Sequence, residues 1–139
     1  HYFGKDPLRI LLDGKGSVAL DRKLLSDEAP AFIFSPNRGD LAIHKRVFPT
    51  DTSISLEAVL KILHHENRAT LLVEGGAMLI KQFLENNLWD EIRLIEHPGS
   101  MGGDVKAPVL PVGMALKETY RVGMDNIRIF CNSSVSLKE

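Results

Sequence analysis

The sequence predicts an α/β protein: a mixed, mostly parallel sheet flanked by helices. Three observations carry this. Short apolar runs of strand length occur at 8–13, 31–35 and 70–76, each bounded by proline, glycine or polar residues. Amphipathic helical patterns lie at 56–67 and 77–87. The order strand, strand, helix, strand, helix, strand is that of a parallel sheet covered on both faces.

Each element has a local reason. "LRILLD" (8–13) lies between Pro7 and the pair Gly14 and Gly16, and reads as a buried strand. "AFIFS" (31–35) is a second, framed by Pro30 and Pro36. "LAIHKRVF" (41–48) mixes apolar and basic residues and suits a short exposed strand. "TDTSIS" (50–55) is a polar turn, and Ser55 is placed to cap a helix with Glu57 in its first turn. Leu56, Val59, Leu60 and Leu63 then form one apolar stripe. "TLLVEGG" (70–76) reads as a buried strand. The helix after it turns Ile80, Phe83 and Leu84 inward. "EIRLIEHP" (91–98) is a further strand, followed by the loop "GSMGGDVKAP". "ALKETYRV" and "NIRIFC" alternate polar and apolar residues across "GMDN", which marks a hairpin and makes the sheet mixed. There is no repeat or low-complexity tract, and no internal domain boundary is expected.

The totals exclude several classes of function. The chain has 139 residues, 44% hydrophobic and 25% charged, which suits one globular domain. A net charge of -1 offers no basic field for nucleic acid or anionic lipid. No apolar run approaches the roughly 20 residues that span a bilayer, and no signal-peptide pattern is present. One cysteine, Cys131, excludes an internal disulfide and suits a reducing cytoplasm. The opening "HYFGKDP" reads like the inside of a longer protein.

The chemical signal is Glu74-Gly75-Gly76. It stands where a strand passes into a helix. In α/β sheets ligands bind beyond the carboxyl ends of strands. A helix start offers free N–H groups and partial positive charge, which suit a phosphate, and glycine lets a ligand approach them. Two glycines are also what a tight strand-to-helix turn needs. The full G-x-G-x-x-G fingerprint is absent.

Other residues read as structural. His64 and His65 are adjacent on a helix, about 100° apart, and cannot chelate one metal together. Cys131 has no CxxC partner and reads as core. Asp90 and Glu91 resemble an acid pair, or a solvated strand start. His97 faces a glycine-rich loop and reads as a loop histidine within reach of a cofactor. Trp89 reads as a packing anchor. No Ser-His-Asp or Cys-His arrangement is legible, and no metal site.

"LLVEGGAMLIKQFLENNLWDEIRLIEHPGSMGG" resembles the reductase domain of the bifunctional riboflavin-biosynthesis deaminase/reductase. That domain carries "VEGGA", a helix, "L-x-D-E" and a "P-x-x-x-G" loop. "DPLRILLD" resembles its "P-x-R-V-V-L-D" strand. The likeness covers most of 5–131 and is most specific over 71–103. It implies a dihydrofolate-reductase-like fold and NADPH-dependent reduction of 5-amino-6-(5-phosphoribosylamino)uracil to its ribitylamino form. It implies that Glu74 meets the substrate. It also implies that Gly76, Ala77, Met78, Leu79, Ile80, Lys81 and Gln82 form the cofactor loop and helix start. Gly14 matches a position beside the cofactor that usually bears a hydroxyl. "GKGSVALD" departs from the family's usual "R-x-P". No catalytic residue is assigned.

The family's domain begins earlier, with a strand, a lysine-bearing segment and a "D-P-x-L-T-x-R" motif that supplies a phosphate-binding arginine. A zinc deaminase domain precedes it. The chain is therefore expected to be the C-terminal portion of such a reductase domain over 1–139. On its own it should fold, bind NADPH weakly and turn over nothing, and a homodimer is expected. The alternatives are a non-catalytic nucleotide-binding or dimerisation module, or another dihydrofolate-reductase-like reductase.

Overall fold

The computed structural model describes residues 6–36, 41, 44–50, 53–99, 102 and 106–134. The chain divides into two compact units, His1–Thr70 and Leu71–Glu139. Among the described residues, no helix is long and apolar enough to cross a membrane.

The first unit contains β1 (Arg9–Leu12), α1 (Lys23–Ser26), β2 (Ala31–Ser35), β3 (Lys45–Pro49) and α2 (Leu56–His65). The strands form a parallel sheet in the order β1-β2-β3, with Leu11 opposite Ile33 and Ile33 opposite Val47. The central strand β2 is buried at every residue. Side chains alternate between faces. Phe32 and Phe34 therefore share one face, where they cluster with Val59 and Leu63 of α2. Ile33 points the other way and is also fully buried, so both faces are covered. The Phe34 and Phe48 rings stack at 4.9 Å, and Phe32 meets Phe48 edge-on at 5.0 Å.

Helix α2 follows its sequence signals. The Ser55 hydroxyl accepts from the Ala58 N–H, and Glu57 stands in the first turn. Val59 and Leu63, one turn apart, are its buried residues.

The amino ends of β1 and β3 are tied by charge. Arg9 grips the Asp27 carboxylate with two nitrogens. Lys45, whose side chain is wholly buried, donates to Asp27 Oδ1 at 3.0 Å and to the Ala29 carbonyl. A buried ammonium needs such partners, because its desolvation is otherwise uncompensated. This explains why β3, expected to be exposed, carries a buried lysine.

The second unit contains α3 (Ala77–Glu85), β4 (Glu91–Glu96), β5 (Ala115–Val122) and β6 (Asp125–Cys131). Its sheet is antiparallel, in the order β4-β6-β5. The hairpin turns at Gly123, with φ +62°, a conformation that favours glycine. A bulge falls between Leu116 and Glu118 on the edge strand β5, a feature that discourages edge pairing. Asn132 ties the loop after α3 to the end of β6. Its amide donates to Asn87 Oδ1 and the Trp89 carbonyl, and its backbone N–H donates to the Asp90 carbonyl.

One expectation needs correcting. Residues 70–76 form no strand: they have no ladder partner among the described residues. Leu72 is 74% exposed, not buried. Apolar composition states that a segment gains by burial; it cannot supply the neighbour whose N–H and C=O groups make a strand. Among the described residues, the strands pair as one parallel and one antiparallel three-stranded sheet.

Candidate functional site

In the second unit the structure places Glu74 and Gly76 to Gln82 at the start of α3. Gly76 is the N-cap, with φ -60° and ψ 164°, and no side chain caps the helix. Its carbonyl accepts from the N–H groups of Leu79 and Ile80. The N–H groups of Ala77 and Met78 thus precede the first intrahelical bond and point out of the helix end. No acidic residue stands in the first turn to neutralise the dipole.

The two glycines have different reasons. Neither has a positive φ. A Cβ on Gly75 would lie 2.5 Å from Leu79 Cδ2, so any side chain there would displace Leu79, and the chain's own packing favours glycine. A Cβ on Gly76 would meet nothing within 4 Å. Nothing in the described structure needs a glycine at 76. The space beside it is open, at a helix start whose first N–H groups have no partner within the helix.

The expected cofactor residues separate by exposure. Met78 is 79% exposed beside Gly76. Ala77, Leu79 and Ile80 are half-buried. Lys81 is exposed and pairs with Glu85 at 3.6 Å. Gln82 is exposed, and its carbonyl accepts from the Asn86 side chain. Glu74 is exposed ahead of the helix.

Gly14 belongs to the first unit, in the turn after β1. Asp13 organises this turn: its buried carboxylate accepts from the Ser17 and Val18 N–H groups at 3.0 and 3.1 Å, and its carbonyl accepts from Gly16. Those N–H groups already hold a carboxylate, so they form no free anion nest. Sequence reasoning passed over Asp13; an aspartate before G-x-G was its signal.

A second feature of the first unit also escaped the sequence reading. An open cavity of about 450 Å³ is lined by Pro36, Pro49, Thr50, Ser53, Ser55 and Ala58. It lies past the carboxyl ends of β2 and β3, at the start of α2, where parallel sheets receive ligands. The Thr50 hydroxyl is buried without a partner among the described residues. The signal was the hydroxyl-rich "TDTSIS", which reads equally as a turn.

The remaining candidates resolve as structure. Glu91 is clasped by Arg93 at 2.8 Å and Lys117 at 3.6 Å. Its carboxyl is held below the usual range, chiefly by the hydrogen bond from Arg93; a carboxylate so stabilised is a poor proton donor. His97 Nδ1 meets Asp125 Oδ1 at 2.7 Å on the surface. His64 and His65 are exposed, with ring centroids 6.3 Å apart. Trp89 and Cys131 are half-buried.

The RibD C-terminal domain family matches residues 2–133. A reductase of Archaeoglobus fulgidus, named for 2,5-diamino-6-ribosylamino-4(3H)-pyrimidinone 5′-phosphate, is 33% identical over 106 residues, 70% of this chain and 48% of that protein. The Aquifex aeolicus reductase of the same name is 30% identical over 124 residues, 83% of this chain and 55% of that protein. A Thermotoga maritima structure, a diaminohydroxyphosphoribosylaminopyrimidine deaminase/5-amino-6-(5-phosphoribosylamino)uracil reductase, aligns with TM-score 0.76 at 20% identity, over 93% of this chain and 38% of that one. The chain thus spans about half the length of the curated reductases it matches. Its α/β elements are those of the dihydrofolate-reductase-like fold, and the chain belongs to the RibD C-terminal domain family.

Proposed function

We propose that this chain supplies the cofactor-binding part of a riboflavin-pathway reductase, which reduces 5-amino-6-(5-phosphoribosylamino)uracil with NADPH. The observation that carries the reading is Gly76: an open glycine at a helix start, with no internal reason to be glycine. In this reading the N–H groups of Ala77 and Met78 bind phosphate oxygens, and the exposed Met78 side chain covers the cofactor's apolar part. Lys81 and Gln82 border it. Leu79 and Ile80 support the helix. Gly14, in the first unit, lacks a hydroxyl and has only its peptide to offer a ligand. Bound NADPH supplies the hydride. Glu74 orients the substrate by accepting from its hydroxyl or amine groups.

A second substrate form has specific support. The relatives at 33% and 30% identity are named for the 2-amino pyrimidinone rather than the uracil. Both substances should be offered to the full-length protein and NADPH oxidation followed. Oxidation with the uracil alone supports the first reading, and with the pyrimidinone alone the second. Absence of NADPH binding refutes both.

The reading also includes an adjoining deaminase domain, as the Thermotoga protein's name suggests, with zinc expected there from the family resemblance alone, and a homodimer. In support of the dimer, every large exposed apolar residue among the described ones except Leu20 lies in the second unit, and such surfaces favour association. The single free cysteine accords with a cytoplasmic location.

A further inference from the structure

We infer that Leu79 is a positioning residue for the cofactor: it acts through Gly75, not by touching the ligand. This rests on the proposed cofactor reading. Family likeness marks Leu79 only as one member of the loop and helix start. The geometry gives it a different part from its neighbours. Its side chain occupies the space a residue-75 side chain would take, with Cδ2 at 2.5 Å, Cβ at 3.2 Å and Cγ at 3.3 Å from the position of that Cβ. The Leu79 N–H also donates to the Gly76 carbonyl at 2.9 Å. One residue therefore holds both glycines, Gly75 by contact and Gly76 by a hydrogen bond. The side chain is half-buried, whereas Gly76 and Met78 are open to solvent. Leu79 is the inner wedge of the turn, and Gly76 to Met78 are its outer surface.

The distances make a specific prediction. A methyl at 75 conflicts with three Leu79 atoms. Cδ2 is the end of a flexible side chain and can swing away. Cγ moves with it, but Cβ is fixed to the helix backbone at 3.2 Å, so Gly75→Ala must shift the turn by a few tenths of an ångström. Leu79→Ala removes the two outer conflicts and leaves room for that methyl, but frees the turn as well. The two substitutions share one space, so their effects should not add.

The test uses the full 139-residue chain and four variants: Gly75→Ala, Leu79→Ala, the double variant and Leu79→Met. NADPH dissociation constants are measured by titration. Hydrogen exchange of the Leu79 and Ile80 amides, which donate to the Gly76 carbonyl, is measured without ligand, and thermal denaturation confirms folding. Gly75→Ala and Leu79→Ala should each weaken binding by about tenfold, the scale of one net hydrogen bond, and speed exchange of the two amides. The double variant should bind no worse than Leu79→Ala. Leu79→Met, which keeps the volume, should bind like wild type. If Gly75→Ala and Leu79→Ala bind like wild type, the inference falls and the cofactor reading stands. Strictly additive losses also overturn it. If wild type binds no NADPH, the cofactor reading fails and takes the inference with it, whatever the amide exchange shows.

Discussion

Replacing Gly76 separates folding from binding, because the structure assigns different consequences to each. The N-cap backbone is at φ -60° and ψ 164°, a region any residue adopts. A Cβ there meets no atom within 4 Å. Gly76→Val therefore costs the fold only the weak N-cap preference of valine, about 0.5 kcal/mol. Gly76→Ser should instead stabilise by about 0.3 kcal/mol, because its hydroxyl can accept from an orphan N–H of the first turn. Binding should respond the other way. Either side chain fills the space in front of the Ala77 and Met78 N–H groups. Losing one charge-assisted hydrogen bond to phosphate costs roughly 1.5–3 kcal/mol, about 10- to 150-fold in Kd. The assay pairs NADPH titration with calorimetric denaturation of the same samples. The expected pattern is a serine variant that melts no lower than wild type yet binds at least about tenfold more weakly. A valine variant with the wild-type Kd would refute the cradle, and one that fails to fold would refute the claim that the space is open.

In the full-length reductase, Glu74→Gln should raise KM for the pyrimidine or lower kcat while leaving NADPH affinity nearly unchanged; normal steady-state kinetics would make Glu74 a bystander. Phe34→Ala should destabilise the chain by about 3–5 kcal/mol in urea unfolding, because Phe34 is 1% exposed between the Phe48 ring and α2; a loss below about 1 kcal/mol would contradict that packing. The Asp27 carboxyl is held well below its ordinary value of 3.8, first by the hydrogen bond from Arg9 and then by that from Lys45. Its folded value is lowered, so its stabilisation is present above the unfolded value and is lost as pH falls through the folded one. The stability gap between wild type and Asp27→Asn should therefore narrow from about pH 5 to about pH 2, and a gap independent of pH would show that the ion cluster adds nothing through charge.

What was legible in the sequence follows from which forces are local. Helix α2 could be read because its cap, its first-turn glutamate and its apolar stripe all lie within about three turns of chain. The hairpin could be read because its register is set by the turn between its strands. The run at 70–76 misled because its leucines say only that burial is favourable, while a strand depends on a neighbour that no local pattern reports. Lys45 misled for the same reason. A lysine reads as exposed unless its partner is known, and Asp27 lies 18 residues away, just past the end of α1. The candidate site divides along the same line. A glycine pair before a helix was visible as a phosphate-compatible turn, but in one dimension the two glycines are equivalent. Only three dimensions separate Gly75, filled from behind by Leu79, from Gly76, which faces open space. That difference turns a motif into a testable assignment, because it predicts opposite behaviour for two adjacent identical residues. A methyl at 75 meets Leu79 before any ligand arrives, whereas a side chain at 76 meets no atom of the chain and changes the fold only through its capping preference until the ligand does.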